Sequence, residues 1–176
     1  MIELFAQLLA GVVLASSLGS APPVGAEEHC VVEVIGESEG GELVTTKPVC
    51  FGTFSDAMAH ASEGELLLPR RTEGDIVFSS DAVAQAVSSF TIGIHYDGYS
   101  GGGSSMTISG SSCSGGYWNA TGSWANRIKS SYNGCPKLVH YDLPNLGGIS
   151  QTTYTAGQID NLSTLAGRVE SIRYLP

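Results

Sequence analysis

The chain has 176 residues, of which 8 are basic, 17 are acidic and 14% in all are charged, for a formal net charge of −9. An acidic chain has no general attraction for nucleic acid or anionic membranes, so we expect neither as a partner. The low content of charged residues argues against disorder, and the composition excludes a coiled coil and a multi-span membrane protein.

The first 26 residues have the pattern of a secretory signal peptide. Residues 4–26 carry no charge, residues 4–18 are mostly apolar, and Val24-Gly25-Ala26 is an acceptable cleavage site. The 23 uncharged residues are also long enough to span a bilayer as an uncleaved anchor. Pro22-Pro23 and the small residues that follow favour cleavage. We therefore predict a secreted protein with no membrane association after cleavage.

The rest of the chain divides near Phe90 into two regions of unlike composition. Residues 27–81 hold 12 acidic and 3 basic residues, whereas the residues from 82 onward hold 4 and 5. All seven Tyr and both Trp lie beyond residue 90, and all five Phe lie at or before it. We therefore predict a small acidic α+β region at 27–89 and a second unit at 90–176.

The acidic region is predicted to mix strand and helix. The β-branched run at residues 30–35 predicts a strand, and residues 42–51 could pair with it as a hairpin. Thr53 resembles an N-cap, and apolar residues at helical spacing follow it up to Ala61. Leu66–Leu68 suggests a buried strand, and a short helix is predicted after Ser80. None of these patterns indicates chemistry.

The four cysteines all lie after the predicted cleavage site. They are Cys30, Cys50, Cys113 and Cys135. An even number in an exported protein implies two disulfides, and four cysteines allow three pairings. The division into two regions favours Cys30–Cys50 and Cys113–Cys135. A zinc site is the competing interpretation, but no two cysteines have the CxxC spacing typical of zinc ligands.

The second region contains an internal repeat. Residues 94–97 correspond to 139–142 and residues 102–103 to 147–148, both at an offset of 45 residues. Residues 125–130 correspond to 166–171 at an offset of 41 residues. Each copy predicts alternating strands, with a Gly-rich hairpin after the first and a polar arch before the last. In the opening strand we expect Ile92, Ile94 and Tyr96 on one face, and His95 and Asp97 on the other.

The repeat resembles the βγ-crystallin motif, in which Tyr/Phe-x4-Phe-x-Gly folds the first hairpin and a later Ser pins it. The second copy fits with Leu in the second aromatic position, whereas Tyr96-x4-Gly101-x-Gly103 keeps only the ends of the motif. The corresponding motif positions are Tyr96 and Gly103 in the first copy, Tyr141, Leu146 and Gly148 in the second, and the pinning residues Ser130 and Ser171.

This resemblance covers residues 90–176, with motifs at about 90–133 and 134–176. It implies a mainly β protein whose two-motif Greek-key β-sandwich follows a small α+β segment.

Calcium is the common ligand of the family, and its site motif is Asn/Asp-Asn/Asp-x-x-Ser/Thr-Ser. The resemblance places the candidate ligands at Asn126, Ser130 and Ser171. However, Lys129 stands where the motif has a ligand, and Arg127 adds positive charge to a site that needs carboxylates. We therefore expect no required cofactor, and calcium binding that is weak at most.

Two further patterns resemble catalytic or metal sites. Residues 98–102 match the G-x-S-x-G nucleophile elbow around Ser100, but the glycines that follow would begin a helix poorly, and His140 precedes Asp142 rather than following it. His95 and His140 recur with the repeat and could form a metal-binding or pH-sensitive pair, although a packing role on a strand face is the simpler interpretation. We predict that the protein is not an enzyme.

The sequence thus favours a secreted, disulfide-stabilised, non-enzymatic protein with a binding or structural role and an eroded calcium site. The alternative is a secreted metalloproteinase inhibitor or a killer-toxin-like protein, because such proteins share the βγ-crystallin fold. The stretch from Cys113 to Gly122, anchored by a disulfide, would then be the inhibitory loop and a secreted protease the partner.

Overall fold

The computed structural model describes residues 27–68 and 86–176, so the predicted signal peptide and the beginning of the helix predicted after Ser80 lie outside the described residues. The protein is mainly β, as predicted, and its strands form two sheets. The first region supplies β1 (His29–Glu37), β2 (Leu43–Thr45), β3 (Val49–Phe51) and helix α1 (Phe54–Ala61). The first repeat copy supplies β4 (Thr91–Tyr96), β5 (Ser105–Ser109), β6 (Tyr117–Asn119) and β7 (Ser130–Asn133). The second supplies β8 (Lys137–Leu143), β9 (Gly147–Thr153), β10 (Ile159–Asn161) and β11 (Ser171–Leu175).

The two repeat copies exchange one strand each. The first sheet has the order β10-β7-β4-β5-β1-β2, with β3 also paired to β1, and the second has the order β6-β11-β8-β9. Strand β10 of the second copy therefore pairs with β7 of the first copy, and β6 of the first pairs with β11 of the second. Neither copy can complete its sheet without the other.

The first region continues the first sheet. Strand β1 pairs in parallel with β5, while β2 and β3 pair antiparallel with its two ends, as the predicted hairpin requires. The predicted N-cap is present, because Thr53 Oγ1 accepts a hydrogen bond from Asp56 N at 3.1 Å. The predicted strand at Leu66–Leu68 is wrong. These residues come after the turn that ends α1 and do not form a strand, and Leu67 is 79% exposed.

Two apolar layers hold the elements together. One lies between the two sheets and is built mainly on Trp118, Trp124, Leu138, Ile172 and Tyr174. The other lies between α1 and the first sheet, where Phe54 and Met58 of the helix pack on Ile94, Tyr96 and Tyr132. Burying each of these helix side chains contributes about 1.5–3 kcal/mol. All six residues of β4 are buried because this strand is covered on both faces.

The predicted orientation of β4 side chains is wrong for Ile92. Its pairing register with β5 shifts between Thr91 and Gly93, which marks a β-bulge. A bulge adds one residue and reverses the alternation of side chains beyond it. Ile92 therefore faces the second sheet, while Ile94 and Tyr96 face α1.

Candidate functional site

The hairpins that follow β4 and β8 have the same backbone conformation. Residues 100, 101 and 103 have φ values of 55°, 79° and 78°, and residues 145, 146 and 148 have φ values of 55°, 62° and 76°. The left-handed region at three matched positions is a conformation that most residues avoid. The sequence repeat is thus also a repeat of structure.

Each hairpin is held by the serine that the resemblance assigns to it. Ser130 Oγ donates to Gly98 O at 2.8 Å and accepts from Gly101 N at 3.1 Å. Ser171 Oγ donates to Leu143 O at 2.7 Å and accepts from Leu146 N at 3.0 Å. Both serines are fully buried, so each hydroxyl satisfies backbone groups that water does not reach.

A repeated ion pair lies beside each hairpin. Arg127 Nη2 is 2.6 Å from Asp97 Oδ2, and Arg168 Nη2 is 3.0 Å from Asp142 Oδ2. The sequence pattern indicated Arg127 only as a charge that opposes calcium, and it predicted a partner for neither arginine. The available signal was that both the Asp and the Arg recur at matched positions of the repeat.

The same two carboxylates explain the hairpin glycines. A Cβ atom at Gly103 would collide with Asp97 Oδ1, and one at Gly148 would collide with Asp142 Oδ1. Ile149 N also donates to Asp142 Oδ1 at 2.8 Å. The glycines therefore provide both the left-handed backbone and the space for an aspartate.

The polar arches that precede β7 and β11 meet each other. Asn126 Nδ2 donates to Glu170 Oε1 at 2.6 Å, and Asn126 N donates to Val169 O at 2.9 Å. The calcium candidates Asn126, Ser130 and Ser171 thus all make hydrogen bonds inside the protein. The nearby carboxylates of Asp97, Asp142 and Glu170 are bonded to arginine or asparagine side chains.

Two asparagines, one in each exchanged strand, connect the two copies. Asn119 Nδ2 donates to Asn145 Oδ1 at 2.9 Å, and Asn119 Oδ1 accepts from Asn145 N at 2.9 Å. In the other copy, Asn161 Oδ1 accepts from Ser100 N at 2.6 Å. Each exchanged strand therefore uses its asparagine to bind the hairpin of the opposite copy. Ser100 lies in this hairpin, between two antiparallel strands, and not at the strand-to-helix turn of a nucleophile elbow.

The recurring tyrosines have different surroundings. Tyr96 is fully buried under α1, whereas Tyr141 is half-buried on the outer face of the second sheet. In the described part of the chain, no helix covers that outer face. The difference between the copies therefore comes from α1, which packs on the first sheet.

The recurring histidines form a buried hydrogen-bond chain between the sheets. His95 Nδ1 is 2.9 Å from Ser131 Oγ, which is 2.9 Å from His140 Nε2, and His95 Nε2 is 2.9 Å from Tyr174 OH. The His95 ring also stacks on Trp118 with a centroid distance of 5.8 Å. Both histidines have no exposed surface.

This burial controls the ionisation of the chain. Burial lowers the pKa of His140 from 6.5 to about 4. Burial, together with repulsion from His140, holds the pKa of His95 well below its ordinary value. Both imidazoles are therefore neutral at pH 7 and join the two sheets through hydrogen bonds rather than charge.

The two disulfides are the pair that the two-region division favours. Cys30–Cys50 joins β1 to β3, and Cys113–Cys135 joins the segment after β5 to the turn before β8. The Glu28 carboxylate lies within 4.8 Å of both sulfur atoms of the first disulfide. Those sulfurs are bonded to each other, so they are not thiolate ligands for a metal.

An open groove of about 780 Å³ crosses the boundary between the two regions. Its walls are the β1–β2 hairpin, the end of α1 and the segment 109–114. Four carboxylate side chains and one histidine line it, namely Glu33, Glu37, Glu63, Glu65 and His60. No Lys or Arg is among the described residues that line it. No sequence pattern predicted this groove, because its walls come from three separate segments of the chain.

The expected inhibitory loop is shorter than the stretch from Cys113 to Gly122. Residues 117–119 are β6, which is paired with β11, and Gly116 and Ala120 are buried. The exposed part near the disulfide is centred on Ser111, Ser112 and Ser114.

No family model, curated protein or solved structure matches this chain. Among residues 27–68 and 86–176, no helix is long and apolar enough to cross a membrane.

Proposed function

We propose that the chain is a secreted, disulfide-stabilised, non-enzymatic binding protein with a βγ-crystallin-like architecture. The strand exchange supports this architecture, because two interlocked Greek keys would produce sheets of three strands from one copy and one from the other. The serine-bonded hairpins support it at the residue level. The two disulfides are consistent with an oxidising, extracellular compartment.

Calcium has no part in the proposed function. A tight Ca²⁺ site needs several free carboxylate oxygens. Near the hairpins, Asp97 and Asp142 are bonded to arginines, and Glu170 is bonded to Asn126. The two ion pairs link each arch to its own hairpin, and the Asn126–Glu170 hydrogen bond links the two arches.

The binding surface in this proposal is the acidic groove, and this groove is the observation that carries the proposal. Its volume of about 780 Å³ is in the range of ligand-binding clefts. The carboxylates stand on opposite walls, with Glu33 and Glu37 on β1 and Glu63 and Glu65 after α1. A concave surface lined by charges of one sign attracts ligands of the opposite sign. The partner is therefore a basic, extended segment of another protein.

Binding of a lysine decapeptide tests this function, with the affinity measured by calorimetry at low and at physiological salt. We expect binding that weakens as salt rises, because the attraction is between exposed charges. The double variant Glu33→Gln/Glu63→Gln should weaken binding at least several-fold. Glu39→Gln, which removes an exposed carboxylate outside the groove, is the matched control. Equal affinity in both variants would rule out the groove as the binding surface.

The second candidate function is inhibition of a secreted metalloproteinase. The exposed segment around Ser112 favours it, because the Cys113–Cys135 disulfide restrains that segment and lowers the entropy lost on binding. Near-stoichiometric inhibition of a secreted metalloproteinase would support this function. No inhibition across a panel of such enzymes would refute it.

A further inference from the structure

The second sheet ends in an unprotected edge strand. Proteins usually shorten their edge strands or place charges or prolines on them, because exposed backbone groups can pair with another chain. Strand β9 lies at the edge of the second sheet and is seven residues long. Its sequence, Gly147–Thr153, contains neither a charged residue nor a proline.

The other edges of the two sheets are protected. Strands β2, β3, β6 and β10 are each three residues long. Lys47 and Pro48 separate β2 from β3, and Asp160 lies in the middle of β10. Among the described edge strands, β9 is thus the one that is both long and uncharged.

Strand β9 is also held in a fixed position. On its inner side it pairs with β8, and Gln151 Oε1 accepts hydrogen bonds from three backbone N–H groups, those of Ser163, Thr164 and Leu165, at 3.2, 3.0 and 3.2 Å. Ile149 and Tyr154 remain 49% and 71% exposed near its two ends. An edge that is already rigid pays little ordering entropy when it acquires a partner.

We propose that β9 is a self-association edge, along which a second copy of this chain pairs antiparallel to form one sheet across a two-fold axis. Antiparallel pairing of β9 with β9 of the second copy places the beginning of each strand opposite the end of the other. Tyr154 of each copy would then lie near Gly147 and Gly148 of the other, where the missing side chains leave room for an aromatic ring. The neutral strand also lets two chains of net charge −9 approach without like charges at the contact.

Sedimentation equilibrium from about 5 µM to 1 mM tests the proposal. A single added strand buries less surface than a standard interface, so we expect a weak dimer with a dissociation constant of roughly 10–500 µM. Ser150→Lys, at the centre of β9, should weaken dimerisation at least tenfold because it brings two ammonium groups together at the axis. Ser123→Lys adds the same charge at an exposed site outside the strands and should leave the dimer unchanged.

A wild-type protein that stays monomeric at 1 mM would overturn the proposal, even if β9 pairs with some other chain. A Ser150→Lys protein that dimerises like the wild type would overturn it as well. Circular dichroism of both variants verifies that they are folded. The result is independent of the acidic groove, because none of the groove residues lies on β9.

Discussion

Acidification should destabilise the protein through His140. Its ring is fully buried between the sheets, with Nε2 at 2.9 Å from Ser131 Oγ, and burial lowers its pKa from 6.5 to about 4. In the unfolded chain the same side chain has a pKa near its ordinary value. The unfolded state therefore binds more protons between pH 6.5 and 4. Stability is complete above this window and is lost as the pH falls through it.

The magnitude follows from the difference between the two pKa values. One pKa unit corresponds to about 1.4 kcal/mol. The change of His140 from 6.5 to about 4 thus corresponds to about 3 kcal/mol of unfolding free energy. His95 has its pKa lowered too and adds a loss of the same sign. A loss of this size is a large fraction of the 5–15 kcal/mol that stabilises an ordinary domain.

Urea denaturation at pH values from 7.5 to 4 measures this dependence. We compare the wild type with His140→Gln, whose amide can still bond Ser131 but does not titrate. The variant should be less stable at pH 7.5 and should lose about 3 kcal/mol less than the wild type on acidification. Equal slopes for His140→Gln and the wild type would show that His140 does not cause the loss of stability.

Three further results are expected. Gly148→Ala should lower the unfolding free energy by more than about 1 kcal/mol in thermal denaturation, because the new Cβ collides with Asp142 and the backbone φ is 76°. Gly52→Ala is the control and should change the unfolding free energy little, because a Cβ there has no atom within 4 Å. Replacing both Cys113 and Cys135 by Ser should lower the unfolding free energy by about 3 kcal/mol, because the disulfide closes a loop with a sequence separation of 22 residues. An unchanged midpoint of urea denaturation would contradict this. Millimolar Ca²⁺ should leave the melting temperature unchanged, and a clear rise would contradict the proposed absence of a calcium site.

Much of the candidate site was foreseeable because it repeats. The resemblance pointed to Ser130 and Ser171 as hairpin residues, and both hydroxyls make two hydrogen bonds to their hairpins. The partners of Arg127 and Arg168 were not foreseen, since each lies 30 or 26 residues from its aspartate in the chain. A pairing at that distance depends on how the arch folds back over the hairpin. Local sequence patterns do not contain this information.

The local features of this protein can be predicted from its amino-acid sequence. The recurrence of 94–97 at 139–142 indicated the paired hairpins, and the spacing from Thr53 to Ala61 indicated α1. The two compositional regions indicated the disulfide pairing that the structure contains. These features depend on residues that are close in sequence or that recur, and such residues can be recognised without knowing which strands meet.

Which strands and helices contact one another depends on the tertiary fold. The parallel pairing of β1 with β5 and the exchange of β6 and β10 depend on long-range packing, which no short pattern encodes. The bulge in β4 placed Ile92 and Ile94 on opposite faces, and the sandwich enclosed His95 and His140 between its sheets. Burial and its effects on pKa exist only once distant segments exclude water together, and so they follow from the fold.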